Sequence, residues 1–201
     1  MKKIALLFVT VGFFAAAALA QTEKEDTAQE LANARERLVK LEAIYHENHP
    51  TVKDQKLRIG ALEKQVVQAT PDPSLLRQAR VELAVREGRY FEKSPRLIEQ
   101  QARVKALASV YHDYPEAPAE LAQACSDLAV FEIRYGEANP KLVSQRTKVA
   151  ALLKIMTLNG PAPTPIQLAN ARLEVLLARY GEAHPAVIAA RAQIAELKAG
   201  K

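Results

Sequence analysis

Histidine and cysteine are the side chains that most often carry metal binding or proton transfer, and this chain of 201 residues has four histidines and one cysteine. Two of the histidines, His49 and His184, each directly precede a proline. Such a pair could bind a metal ion or act as acid and base. However, Ser94 and Asn139 occupy the same position in the repeat described below, and both are favoured helix N-caps. We therefore predict that this position caps helices.

Other signatures of catalysis are missing from the sequence. A single cysteine, Cys125, excludes an intrachain disulfide and any cysteine-rich metal site. No histidine lies near it in the sequence, so it is not expected to act as a nucleophile. Glycine-rich phosphate loops and the H-E-x-x-H and G-x-S-x-G motifs are also absent from the sequence. We expect no enzymatic activity, no cofactor and no metal ion.

A repeat with a period of 45 residues organises the chain and must position its candidate functional side chains. The repeated columns include a tyrosine, a glutamate and a proline in each of four copies, together with several aliphatic positions. The turn columns are Tyr45, Tyr90, Tyr135 and Tyr180, followed by Pro50, Pro95, Pro140 and Pro185. Several columns in register across four copies indicate a duplicated structural unit.

Each copy of the repeat predicts two helices. In the first copy, Leu31, Ala34, Leu38, Leu41 and Tyr45 have the 3-4-3-4 spacing of one helical stripe. A second stripe begins at Val52, after a turn that ends in proline, a residue favoured at the first position of a helix. Two helices of about 16 residues, about 24 Å each, cannot bury their stripes alone, so neighbouring copies must stack.

The predicted fold class is therefore all-α, a tetratricopeptide-like array of four helix-turn-helix units with about eight helices. The units cover about 29–74, 75–119, 120–165 and 166–201, and proline-bearing connectors separate them. A short polar segment, 21–28, precedes the repeat domain 29–201 and is expected to be a flexible lead.

The first twenty residues form an apolar segment with a basic start. The pattern is typical of a secretory signal peptide, because it ends in the small residues Ala18-Leu19-Ala20. It is also at the lower length limit for a membrane anchor, or it could bind a membrane from the cytoplasm. The candidate membrane-binding residues are Lys2, Lys3, Ile4, Leu6, Leu7, Phe8, Val9, Phe13 and Phe14.

The turn between the two helices carries a family resemblance. The run from Tyr180 to Val187, YGEAHPAV, resembles the inter-repeat turn of kinesin-light-chain-type tetratricopeptide repeats, and the runs from Tyr45 and Tyr135 are similar. Bacterial kinesin light chains are small proteins that resemble this chain in their turns and in an apolar N-terminus. The resemblance implies a non-enzymatic adaptor that binds bacterial tubulin filaments and membranes, on the cytoplasmic side.

An exported repeat protein that serves envelope assembly or a polysaccharide-related complex is the alternative, because the N-terminus resembles a signal. Localisation is therefore membrane-associated, on a side that the sequence leaves open. The net charge is +5, spread along the chain without a basic run, so nucleic-acid binding is not expected. Self-association through the apolar stripes stays open.

Two recurring polar columns are candidates for contacts with a protein partner. The first is a basic column just before each later tyrosine, and the second is a glutamine column on the second helix of three copies. They consist of Arg89, Arg134 and Arg179, and of Gln55, Gln100 and Gln145. If the arginines share one face, they would suit an acidic partner.

Overall fold

The computed structural model describes the backbone of residues 5–68, 70, 72–159 and 164–199. Side chains are described within those ranges from residue 21 onward, except 157–159. The candidate membrane-binding residues therefore lie outside the described side chains, and Lys2, Lys3 and Ile4 lie outside the described backbone as well.

The predicted all-helical repeat is confirmed in the described ranges, which contain eight helices and no strand. Consecutive helices pack in pairs, as a helical repeat array requires. The helices are α1 (Ala5–Glu42), α2 (Pro50–Val66), α3 (Ser74–Arg89), α4 (Pro95–Asp113), α5 (Ala119–Arg134), α6 (Pro140–Asn159), α7 (Pro165–Tyr180) and α8 (Pro185–Lys198).

Two compact units divide the chain, Met1–Leu97 and Ile98–Lys201. In the first unit, α2 packs against both α1 and α3. The buried side chains there come from all three helices: Leu31, Ala34, Ile59, Leu62 and Val81. Burying one such aliphatic side chain stabilises the fold by roughly 1.5–3 kcal/mol.

The second unit repeats this packing along the pairs α5–α6, α6–α7 and α7–α8. Its buried positions include Leu121, Leu142, Leu152 and Val187, which fall on the repeat columns of the sequence. The aliphatic columns of the 45-residue repeat are therefore the faces that the helices bury. Tyr45, predicted on the first stripe, differs: it lies after the end of α1 and is 40% exposed.

The prediction of a flexible lead at 21–28 differs from the structure, because α1 runs through that segment without a break. Thr27 is fully buried, and its hydroxyl donates a hydrogen bond to the carbonyl oxygen of Glu23 at 2.6 Å. The Glu23 carboxylate in turn pairs with Arg77 of α3 at 2.7 Å. A long-range ion pair thus orders residues whose local composition is polar.

One helix end depends on a glycine. Gly181 follows α7 with a φ of 76°, in the left-handed region that residues with a Cβ rarely adopt. Its N–H donates to the carbonyl oxygen of Leu177 and ends the helix. This geometry explains why glycine stands at position 181.

Membrane-spanning potential was a question raised by the sequence. Within the part of the chain that the structure describes, no helix combines the length and hydropathy needed to cross a bilayer.

Candidate interaction surface

The turn histidines cap helices in the structure, as the sequence predicts. The Nδ1 atom of His49 accepts a hydrogen bond from the backbone N–H two residues further on, at 3.3 Å. His184 makes the same bond at 3.2 Å, and the Oδ1 atom of Asn139 makes it at 2.9 Å. The bond holds Nδ1 as an acceptor, so these imidazoles serve the helix ends.

Each turn tyrosine packs against a histidine of the turn or against a cation at the start of the next helix. Where the cap is histidine, the two rings stack in parallel, with centroids about 4 Å apart. Where the residue before the proline is serine or asparagine, a cation two residues further on, in the first turn of the next helix, lies 5.7 Å from the ring centroid. The pairs are Tyr45 with His49, Tyr180 with His184, Tyr90 with Arg96, and Tyr135 with Lys141. The tyrosine column is therefore part of the turn structure.

The turn glutamates Glu47 and Glu137 each form an ion pair with a cation on the following helix. Glu47 accepts from the Nζ atom of Lys56 at 3.0 Å, and this hydrogen bond lowers the pKa of the Glu47 carboxyl. Glu137 pairs with Arg146 at 3.3 Å, with the same effect on its pKa. These pairs are solvent-exposed, so each stabilises its turn only weakly.

The basic column does not form a strip of free cations. Arg89 donates to Asp54 at 2.6 Å, and Arg134 donates to Glu99 at 2.5 Å through two nitrogens. Arg179 instead lies over the ring of Tyr180, 4.9 Å from its centroid. Two of the three predicted partner-binding arginines thus join neighbouring helices, although their side chains remain half exposed.

The glutamine column, predicted as a partner contact, has a structural role in the described residues. The Nε2 atom of Gln55 donates to the carbonyl oxygen of Ala34 at 2.8 Å, and Gln145 makes the same bond to Ala124. Gln55 and Gln100 are only 5% and 3% exposed. These bonds hold the amides of Gln55 and Gln145 against the neighbouring helix.

The sequence reasoning missed a cleft in the first unit, between α1, α2 and α3. Its volume is about 490 Å³, and a second cleft of about 230 Å³ continues it along α2. Arg37, Gln55, Arg58 and Glu82 line both. The lining residues recur at repeat positions, but their shared location requires the packing of three helices.

The second unit has a cleft of about 660 Å³ at the equivalent repeat positions. Six of its lining residues lie 90 residues, or two repeats, after residues that line the first cleft. The pairs are Glu30 and Glu120, Arg58 and Lys148, Leu62 and Leu152, Gln78 and Leu168, Val81 and Ala171, and Glu82 and Arg172. The array therefore presents the same position twice, polar in the first unit and more apolar in the second.

The described residues bear on metal binding and on the reactivity of the thiol. No group of three or more His, Cys, Asp or Glu side chains among them could hold a metal ion. Cys125 is half-buried, and burial raises the pKa of its thiol, which makes the thiolate scarcer at neutral pH.

The fold and clefts define the class as an all-helical repeat protein. No family model, curated protein or solved structure matches the chain.

Proposed function

We propose that this chain is a non-enzymatic scaffold that binds protein partners through the clefts of its helical repeats. The observation that carries the proposal is the pair of repeat-equivalent clefts with different linings. The two linings differ in chemistry, since Gln78 and Glu82 of the first cleft are replaced by Leu168 and Arg172 in the second. Stacked helical hairpins use such surfaces to bind extended partners.

The specific version of this proposal is an adaptor between bacterial tubulin filaments and membranes. The turns that resemble kinesin light chains support the filament partner, and the apolar segment 1–20 supports the membrane partner. In this version, the repeat domain binds the filament and the N-terminal segment binds lipid.

Co-sedimentation tests the adaptor. The full chain is centrifuged with bacterial tubulin filaments, with anionic vesicles, and with both, and a chain that lacks residues 1–20 serves as the matched control. We expect the full chain to pellet with either and to recruit vesicles to filaments, whereas the shortened chain should pellet only with filaments. A full chain that stays in the supernatant in every mixture would contradict the adaptor.

A second candidate is an exported protein of the cell envelope, and it rests on the signal-like pattern of residues 1–20. It predicts that the protein from cells has the mass of a chain beginning at Gln21 and lies in the periplasm. A full-length mass, with protection from protease added outside the inner membrane, would instead favour the adaptor.

A further inference from the structure

We propose that the cleft of the first unit binds an acidic peptide segment of a protein partner, with Arg37 and Arg58 holding its carboxylates. The inference deepens the proposed scaffold function and rests on it. Both arginines are exposed and line both parts of the cleft.

The carboxylates that line the cleft are all engaged by other arginines. Each of these contacts uses a guanidinium other than that of Arg37 or Arg58. They are Glu30 with Arg77 at 3.3 Å, Glu82 with Arg86 at 3.0 Å, and Asp54 with Arg89 at 2.6 Å. The negative charge of the lining is thus already neutralised.

Arg37 and Arg58 have no ion pair among the described contacts of the first unit. The cations that are equivalent to Arg58 in the second unit do have one. Arg103, one repeat after Arg58, pairs with Asp127 at 3.1 Å, and Lys148, two repeats after it, lies 3.6 Å from Glu120. The first unit therefore keeps two guanidinium groups available at the cleft.

Arg86 explains why Arg58 has no partner. Glu82 is the repeat equivalent of Asp127, and it could pair with Arg58 as Asp127 pairs with Arg103. Instead, the Nε atom of Arg86 binds Glu82, and its Nη1 atom donates to the carbonyl oxygen of Arg96 at 3.0 Å. The repeat equivalents of Arg86 are Leu41, Phe131 and Leu176, none of which could divert the carboxylate.

A peptide suits the rest of the lining better than a small anion does. The amides of Asn33 and Gln78 line the same cleft and can donate to and accept from a peptide backbone. Leu62 and Val81 offer apolar contact beside them. Guanidinium groups bind carboxylates in bidentate fashion, which gives the site its charge preference.

The test measures binding of a fluorescein-labelled peptide of twelve residues, in which glutamate alternates with serine, by fluorescence anisotropy with the full chain. The double variant R37Q/R58Q removes the proposed contacts. The matched control K53Q/K64Q removes the same charge from exposed positions of α2 outside the cleft. We expect R37Q/R58Q to weaken binding about tenfold or more, since two charge-assisted contacts are lost, and the control to weaken it less than about twofold.

A third variant, R86L, tests the reason for the free cation. It introduces the residue found at two equivalent positions and releases Glu82 to pair with Arg58, so it should weaken peptide binding about threefold without touching the cleft arginines. Circular dichroism of every variant should match that of the unchanged chain, because the substituted side chains are at the surface or partly exposed.

Three results would overturn the inference: no binding of the glutamate peptide, equal weakening by R37Q/R58Q and K53Q/K64Q, or equal binding of a glutamine-for-glutamate peptide. Displacement of the peptide by inorganic phosphate at equal concentration would also overturn it, since the site would then bind any anion. Peptide binding without filament or vesicle co-sedimentation would remove the adaptor alone. Co-sedimentation without peptide binding would remove the cleft inference alone.

Discussion

At the residue scale, a glutamine amide joins the two helices of a hairpin. Gln55 and Gln145 each reach back 21 residues to the carbonyl oxygen of an alanine, at 2.8 Å in both copies. The repeated geometry explains why a polar residue recurs within an apolar stripe. A buried amide is stable there only because it has a hydrogen-bond partner.

The substitution Gln55→Ala should lower the free energy of unfolding by about 1–2 kcal/mol, because it removes this hydrogen bond and leaves a small void. Urea unfolding followed by circular dichroism measures the change. Gln29→Ala is the control, because Gln29 is exposed and bonds only within its own helix; it should stay within about 0.5 kcal/mol. Equal effects of the two substitutions would contradict the structural role.

The glutamine column also shows where the interpretation of the sequence was incomplete. Its recurrence was visible, but polarity was interpreted as exposure. The better signal was its spacing, because Val52, Gln55, Ile59 and Leu62 lie on one helical face, and all four are buried. A polar residue on an apolar face predicts an internal hydrogen bond before it predicts a partner contact.

At the element scale, the N-cap of α2 offers a direct comparison between copies. His49→Ala should destabilise the chain by about 1 kcal/mol, since the N–H of Thr51 loses its acceptor. His49→Asn should restore most of the loss, because Asn139 caps α6 in the same way. Thermal unfolding measures both, and an asparagine variant no more stable than the alanine variant would contradict the capping role.

The turn ion pairs predict a dependence on pH. Hydrogen bonds from Lys56 and Arg146 lower the pKa values of Glu47 and Glu137 in the folded chain. The unfolded chain therefore binds more protons in this range, and the stabilisation is present above the unfolded pKa of about 4.3 and lost as pH falls through the lower folded values.

Comparing urea midpoints at pH 7 and pH 3 for the unchanged chain and for E47Q/E137Q measures this effect. The variant should lose less stability on acidification, because it lacks two of the carboxylates that take up protons. If both chains lose the same stability, the turn pairs do not contribute to the acid response.

The first residues of the helices were the most predictable feature of the fold. Proline at the first position fixed the starts of α2, α4, α6 and α8, because proline is tolerated there and breaks a helix elsewhere. The full length of α1 was not predictable from local pattern, since the order of 21–28 rests on contacts with residues about 50 positions away.

At the scale of the whole molecule, the 45-residue period predicted the stacked helical hairpins, but it could not predict the clefts. The charge that each cleft offers depends on which carboxylate each arginine pairs with. Glu82 could serve Arg58 or Arg86, and only the packed helices decide between them. The helical array could therefore be predicted from the repeated residues. The proposed binding surface depends instead on positions at which the copies of the repeat differ.

Arg77 is one position at which the copies of the repeat differ, and it joins α1 to the rest of the first unit. Its guanidinium is 1% exposed and binds Glu23 at 2.7 Å, Glu30 at 3.3 Å and the carbonyl oxygen of Asp72 at 3.2 Å. Burial opposes the charge, but the hydrogen bonds to the two glutamates outweigh burial and raise the pKa of Arg77. Alanine or glutamine stands at this position in the other copies.

We expect Arg77→Ala to release the part of α1 that precedes the repeat, because the glutamates are partly exposed and can return to water once their partner is gone. Hydrogen exchange should rise about tenfold or more at residues 21–30 and much less at 31–42, which the core holds through Leu31 and Ala34. The control Arg35→Ala breaks an exposed pair between α1 and α2 and should leave 21–30 unchanged. Equal exchange in both variants would show that the buried cluster does not hold the segment, and that its helical order comes from α1 alone.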